Sequence, residues 1–367
     1  MPERSFWKNC RVFVTGHTGF KGSWLCLWLQ AMGADVTGYA LEPPTRPSLF
    51  EQAGVGQRVR TITADIRDFE RLKAAVAECR PQVILHMAAQ SMVRRGYEDP
   101  IETYSSNVMG TVNILEAVRQ LAHRCAFVNV TSDKCYANQE WVWGYRENEP
   151  MGGRDPYSNS KGCAELVTAA YRESYFSPAA FESHGVALAS ARAGNAIGGG
   201  DWTPDQLIPD LVRAFLADQP CLIRNPSAIR PWQFVLEPLR GYLELAERLA
   251  SDPAHFATGW NFGPAETDAE PVAWIANRMS RLWGKNAYWN LDGATHPREA
   301  YFLKLDTSRA RALLGWQPVL PLSEALEWIV EWYRACQAGA DLASFTLAQI
   351  ERYEERLAGS GVLAVAN

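Results

Sequence analysis

Short apolar runs alternate with segments of helical periodicity through the first half of the chain. The runs predict strands over residues 11–15, 35–40, 59–63, 82–86, 125–131 and 186–191. Between them, apolar positions recurring every three or four residues predict helices near 20–32, 68–79, 100–122 and 157–176. Such alternation with short connections implies a parallel sheet covered by helices on both faces. The expected fold class is α/β, a doubly wound parallel (Rossmann) sheet. After residue 195 the pattern changes. Pro204, Pro209, Pro220, Pro226, Pro231 and Pro238 punctuate shorter elements, and a helix near 237–250 precedes Trp260, Asn261, Phe262 and Gly263, which read as a return to the large sheet. The expected division is a first domain over 1–195, joined by about 232–265, a smaller interleaved α/β domain over 196–357, and a frayed tail over 358–367.

The junction of the first strand and first helix carries Gly16, Thr18, Gly19, Phe20, Lys21 and Gly22, with the glycines three apart. A strand, a tight turn and a helix start in this order build a cradle for pyrophosphate in doubly wound folds. Gly16 can take the turn conformation, Gly19 lets phosphates approach the main chain, and Gly22 lets helix and strand pack closely. The helix N-terminus adds free N–H groups and partial positive charge. The first domain therefore reads as dinucleotide-binding.

The 367 residues suffice for two ordinary domains, and at 47% hydrophobic they can bury a large core. The net charge is −5 with scattered basic residues, which argues against a nucleic-acid or membrane-surface partner. No apolar run approaches the roughly 20 residues needed to span a bilayer. Residues 1–5 show no signal-peptide core. The eight cysteines are widely spaced without metal-type pairing, so no metal site is expected, and reduced thiols in a cytoplasmic protein are. The 14 tryptophans read mostly as core or domain-contact residues.

Two further constellations carry chemistry. Asp155 and Pro156 suit the start of a helix, and Tyr157 and Lys161, four apart, then share one face. An ammonium near a phenol favours the phenolate, as would a positively charged nicotinamide ring. A tyrosine with an ordinary pKa near 10 can then accept a hydroxyl proton. The strand over 125–131 ends in Ser132, Asp133 and Lys134, at the edge where such sheets form their ligand crevice.

Taken together, these segments resemble the extended short-chain dehydrogenase/reductase superfamily. Asp65 and Ile66 match its adenine-binding turn, Met87, Ala88 and Ala89 its strand end along the cofactor, and Asn107 its sheet-side helix. The stretches 16–25, 131–136, 140–147, 193–202, 224–226 and 230–233 resemble, within it, the CDP-glucose 4,6-dehydratase family. The resemblance implies NAD as cofactor, CDP-glucose as substrate and a homodimer paired through the helices near 100–122 and 157–176. It implies a redox-neutral elimination in which Tyr157, assisted by Lys161, takes the proton of the glucose 4-hydroxyl while hydride passes to NAD. Loss of the C5 proton and the 6-hydroxyl follows, and the hydride returns to C6. Ser132 would orient the 4-hydroxyl, and Asp133 would stand as acid beside the leaving group. Related dehydratases carry a glutamate where this chain has Lys134. To act as base, that lysine must be neutral, and lowering its pKa from about 10.4 to about 7 requires roughly 4–5 kcal/mol of environmental bias. A charged Lys134 would instead stabilise the developing enolate. The expectation is that it serves elimination rather than oxidation.

Substrate pyrophosphate needs cations and N–H donors. The candidates are Arg224, Arg230 and Arg298, with Asn195, Leu207, His296 and Tyr301 as further substrate contacts. The loop 141–145 reads either as a lid or as a packing element. The second strand ends Gly38-Tyr39-Ala40-Leu41-Glu42, without the acid that usually binds a ribose 2′-hydroxyl, and Glu42 sits late. No arginine stands there for a 2′-phosphate. NAD remains the choice, with modest affinity expected. A sugar-nucleotide 4-epimerase and a non-catalytic cofactor-sensing protein are the competing readings.

Overall fold

The computed structural model describes residues 1–284, 286–294 and 302–360. Seven parallel strands form the central sheet: β1 (Arg11–Thr15), β2 (Asp35–Ala40), β3 (Arg60–Thr63), β4 (Val83–His86), β5 (Cys125–Val130), β6 (Val186–Ala193) and β7 (Gly259–Phe262). Their spatial order is β7-β6-β5-β4-β1-β2-β3. β4, β5, β6 and β7 are buried at every residue, as continuous apolar runs covered on both faces should be. The 259–262 segment joins β6 in parallel, the predicted return to the large sheet. Thr15 stands opposite both Tyr39 and His86, so β1 ends level with β2 and β4. The chain direction of winding reverses between β1 and β4, which opens a crevice beyond the carboxyl ends of these strands.

Helix α1 (Phe20–Ala31) is buried at every position from Gly22 to Leu29. It lies between the sheet and the last described helix, Leu342–Gly359, and the Trp28 indole donates to Glu354 Oε1 at 2.9 Å. A helix enclosed in this way needs no polar face. The last helix runs through residues 358 and 359, which the sequence reading placed in a frayed tail, and Leu357 is buried. Trp7, Trp24, Trp28, Trp260, Trp316, Trp328 and Trp332 are among the largest fully buried side chains.

The expected helix over 100–122 is not continuous. It consists of Pro100–Tyr104, a wide π turn at Ser105–Met109, and Gly110–Arg119. Within the wide turn, Asn107 Nδ2 donates to the Gln90 carbonyl at 2.9 Å and to Ser160 Oγ at 2.8 Å, while its Oδ1 accepts from Gln90 N at 2.8 Å. Tertiary contacts here override the uniform 3.6-residue pattern.

The second half adds three small pairings: Ala196–Ile197 with Gln233–Phe234, Ile229–Pro231 with Ala269–Pro271, and Cys221–Ile223 with Trp289–Leu291. With the helix Leu207–Leu216, they stand over the carboxyl edge of the sheet.

Candidate active site

A cavity of about 800 Å³ runs along that edge, walled by the sheet on one side and by the 194–232 segments on the other. Its glycine-rich end follows from steric demands. Gly16 has φ +76°, and a Cβ there would come within 2.8 Å of Ala88 N. A Cβ on Gly22 would come within 2.2 Å of the Gly16 carbonyl oxygen. Position 19 meets only Gly16 O, at 3.4 Å, and lines the open space. No side chain caps the N-terminus of α1, so its first amides remain for an anion. Thr15 Oγ1 accepts from Met87 N at 3.0 Å and Ala88 N at 3.1 Å and pairs with His86 Nδ1 at 2.7 Å. Burial, aided by the charge of Lys161, pushes His86 down to about 3 and keeps it neutral. These residues fit a bound dinucleotide.

Farther along, Asp65 and Ile66 line the cavity, with the Asp65 carboxylate gripped by Arg67 Nη2 at 2.6 Å. The Arg67 hydrogen bonds hold that carboxyl below its usual range. Leu41 and Glu42 also reach the wall, Glu42 as an exposed side chain. Thr18 Oγ1 donates to the Leu41 carbonyl at 2.9 Å, bracing the turn against the end of β2.

At the other end, β5 delivers Ser132, Asp133 and Lys134 into the same cavity. Ser132 Oγ donates to Asp133 Oδ1 at 2.9 Å and accepts from Lys134 N at 3.2 Å. Lys134 Nζ lies 3.3 Å from Asp133 Oδ1 and 3.4 Å from Asn195 Oδ1. Asp133 is 1% exposed, and its Oδ2 has no hydrogen-bond partner among the described residues. A buried carboxylate oxygen left open beside a cavity is disposed to meet a ligand hydroxyl.

Asp155 caps the helix Pro156–Ser174 through Ser158 N, with Pro156 in its first turn, as the sequence predicts. Tyr157 lines the cavity beside Ser132. Lys161 lies one turn on, buried behind the wall. Burial pushes the Tyr157 phenol well up, against the opposing effect of Ser132. Burial thus opposes the phenolate that a neighbouring ammonium and a positively charged nicotinamide ring would favour. Burial, with the charge of Lys21, lowers Lys161 itself to about 8, against the attraction of Glu165.

Every described residue of the sequence-predicted site lines this one cavity except Asn107 and Lys161, which brace it from behind. Asn195, Leu207, Arg224 and Arg230 stand on the second-half side. His296, Arg298 and Tyr301 lie outside the described residues. In the 141–145 loop, Trp141 stacks on Tyr145 at 5.3 Å and Tyr145 on Tyr136 at 5.1 Å, while Val142 and Trp143 are exposed. Sequence reasoning missed Arg94 and Asp205, both on the cavity wall. Residue 94 stands in the short helix Val93–Glu98 that follows β4, and its place just after a strand end at the ligand edge was the available signal for the first.

It also missed a buried network behind β5. Glu165 accepts from Thr131 Oγ1, from Ser190 Oγ at 2.7 Å and from Arg192 Nη2 at 2.8 Å. Arg192 Nη1 donates to Tyr136 OH at 2.7 Å, which donates to Asn261 Oδ1 at 2.7 Å. The residues just before and after Ser132–Cys135 are thus held by one polar chain.

Comparison with known proteins agrees with this architecture. The sequence profile of the GDP-mannose 4,6 dehydratase family matches residues 13–328. The chain belongs to that family. It is 58% identical over 353 residues to a CDP-glucose 4,6-dehydratase of Salmonella typhimurium, covering 96% of this chain and 98% of that one. It is 27% identical over 329 residues to a dTDP-glucose 4,6-dehydratase of Streptomyces griseus, covering 88% and 93%. Among solved structures, the UDP-glucose 4-epimerase of Thermotoga maritima superposes with a TM-score of 0.77 at 19% identity, covering 89% of this chain and 99% of that one. The dTDP-glucose 4,6-dehydratase of Bacillus anthracis, solved with NAD, gives 0.72 at 21% identity, covering 90% and 98%. At these identities the likeness is one of fold.

Proposed function

We propose that this chain catalyses the NAD-dependent, redox-neutral dehydration of CDP-D-glucose to CDP-4-keto-6-deoxy-D-glucose. The observation that carries the reading is the convergence of Tyr157, Ser132, Asp133 and Lys134 on one cavity that also holds a pyrophosphate cradle. The 58% identity to a CDP-glucose 4,6-dehydratase supports the nucleotide and the hexose. Bound NAD supplies the acceptor for hydride from C4 and its return to C6.

The chain's own residues do the proton work. Tyr157 takes the 4-hydroxyl proton as C4 is oxidised, with Ser132 orienting that hydroxyl. Burial opposes the phenolate, so positive charge at Lys161 and on the bound ring provides the offset. The 4-ketone acidifies the C5 proton. Asp133 presents its open Oδ2 to the 6-hydroxyl and protonates it as it leaves. Lys134, between Asp133 and Asn195, serves the C5 side of the elimination. Arg224 and Arg230 receive the pyrophosphate, with Asn195 and Leu207 beside them.

We also propose a cytoplasmic homodimer. Ile101, Tyr104, Met109 and Leu166 are exposed apolar side chains on the two segments expected to pair. No helix among the described residues is long and apolar enough to cross a membrane.

Incubating the protein with NAD and CDP-glucose and assaying for a 4-keto sugar by its absorbance in alkali tests the activity. Accumulation of the keto product is expected. A 4-epimer in its place would mean that Asp133 and Lys134 take no part in an elimination.

A further inference from the structure

On the cavity wall, Asp205 stands between two guanidinium groups that come from opposite halves of the protein. Its Oδ1 lies 3.1 Å from Arg94 Nη1 and 3.3 Å from Arg224 Nη1. Arg94 follows β4 in the first half, and Arg224 follows Cys221–Ile223 in the second. All three residues line the cavity. Asp205 is held in the left-handed region, with φ +61°.

We propose that Asp205 is an internal stand-in for the substrate's diphosphate, and that Arg94 joins Arg224 in binding that diphosphate once Asp205 is displaced. The inference rests on the reading that this cavity takes a nucleoside diphosphate sugar.

The chemistry follows from the charges. Guanidinium forks match phosphate oxygens better than a single carboxylate oxygen, and a diphosphate offers more charge and more acceptors to both arginines at once. With Asp205 42% exposed, the two ion pairs are solvated contacts that contribute little to stability, so opening them costs little. The carboxylate draws the two cations toward one point on the cavity wall. It also repels an arriving anion and competes with it. Asp205 therefore lowers affinity for the diphosphate, whereas Arg94 raises it.

Opposite signs make the proposal testable. Asp205→Asn removes the charge and keeps a residue type that tolerates the left-handed backbone. Arg94→Gln removes the cation. Dissociation constants for CDP are measured by calorimetry on the NAD-loaded protein and both variants, with NAD affinity and melting temperature as controls. Asp205→Asn is expected to bind CDP three- to tenfold more tightly and Arg94→Gln at least tenfold more weakly, with NAD affinity unchanged in both. If Asp205→Asn weakens CDP binding or leaves it unchanged, the stand-in role is overturned. If Arg94→Gln leaves CDP binding unchanged, or weakens NAD binding equally, its assignment to the substrate diphosphate is overturned. Wild-type turnover of CDP-glucose, measured alongside, separates the two levels. An active wild type with unresponsive variants removes only this inference, while a wild type that binds no CDP removes the functional reading with it.

Discussion

Glu165 Oε2 lies 2.8 Å from Arg192 Nη2 in the core directly behind the strand end that carries Ser132. Both side chains are almost fully buried. Gly259 makes room for the guanidinium, since a Cβ there would sit 2.6 Å from Arg192 Nη2. Through Thr131 and Tyr136 the pair holds both flanks of the reactive segment.

Breaking such a pair leaves an uncompensated buried charge. Glu165→Ala and Arg192→Ala are each expected to destabilise the fold by about 3–5 kcal/mol. Urea unfolding followed by far-ultraviolet circular dichroism measures this. A loss under about 1 kcal/mol in either variant would show that the network does not hold the strand end.

Tyr157→Phe removes the phenolic proton acceptor and keeps the ring in the cavity wall. Turnover should fall by about 10²–10⁴-fold, with binding of CDP little changed, because the arginines stand elsewhere in the cavity. Steady-state kinetics and calorimetry on the same preparation check the split.

Lys134→Met should separate the two halves of the reaction. The variant is expected to lose turnover while retaining the initial rise in reduced-nicotinamide absorbance on mixing with substrate. Stopped-flow absorbance reads it. Loss of the initial rise together with turnover would assign Lys134 to oxidation as well.

The alkaline side of the pH–rate profile tests the charge on Lys161. With its pKa lowered to about 8, the ammonium is present below that pH and lost above it, so kcat should decline as pH rises through about 8. Lys21 is one of the causes of that lowering. Removing its charge in Lys21→Met raises the Lys161 pKa, and the declining limb should move to higher pH when kcat is measured at saturating NAD. A limb that stays in place would show that another group titrates there.

Much of this molecule is legible locally. β1, its three glycines and α1 can be read together because the cradle is built from neighbouring residues, and Gly16 and Gly22 sit where a Cβ would collide with backbone. Tyr157 and Lys161 are visible because four residues make one helical turn. The sheet is visible because buried parallel strands are unbroken apolar runs. What escaped depends on distant partners. The π turn at Ser105–Met109 is accompanied by the grip of Asn107 on Gln90 and Ser160, which no helical period encodes. Glu165 carries no local signal of its role, because its partner Arg192 lies on another element. Arg94 and Asp205 acquire a role only where the halves meet. The phenol of Tyr157 is governed by burial, which the sequence does not measure.

The most direct test uses CDP-glucose carrying deuterium at C4, incubated with the protein and NAD and followed by mass spectrometry and NMR. A redox-neutral elimination predicts a product lighter by one water, with the deuterium now on C6. A product of unchanged mass with the label still at C4, or a dehydrated product whose C6 carries no label, would contradict it.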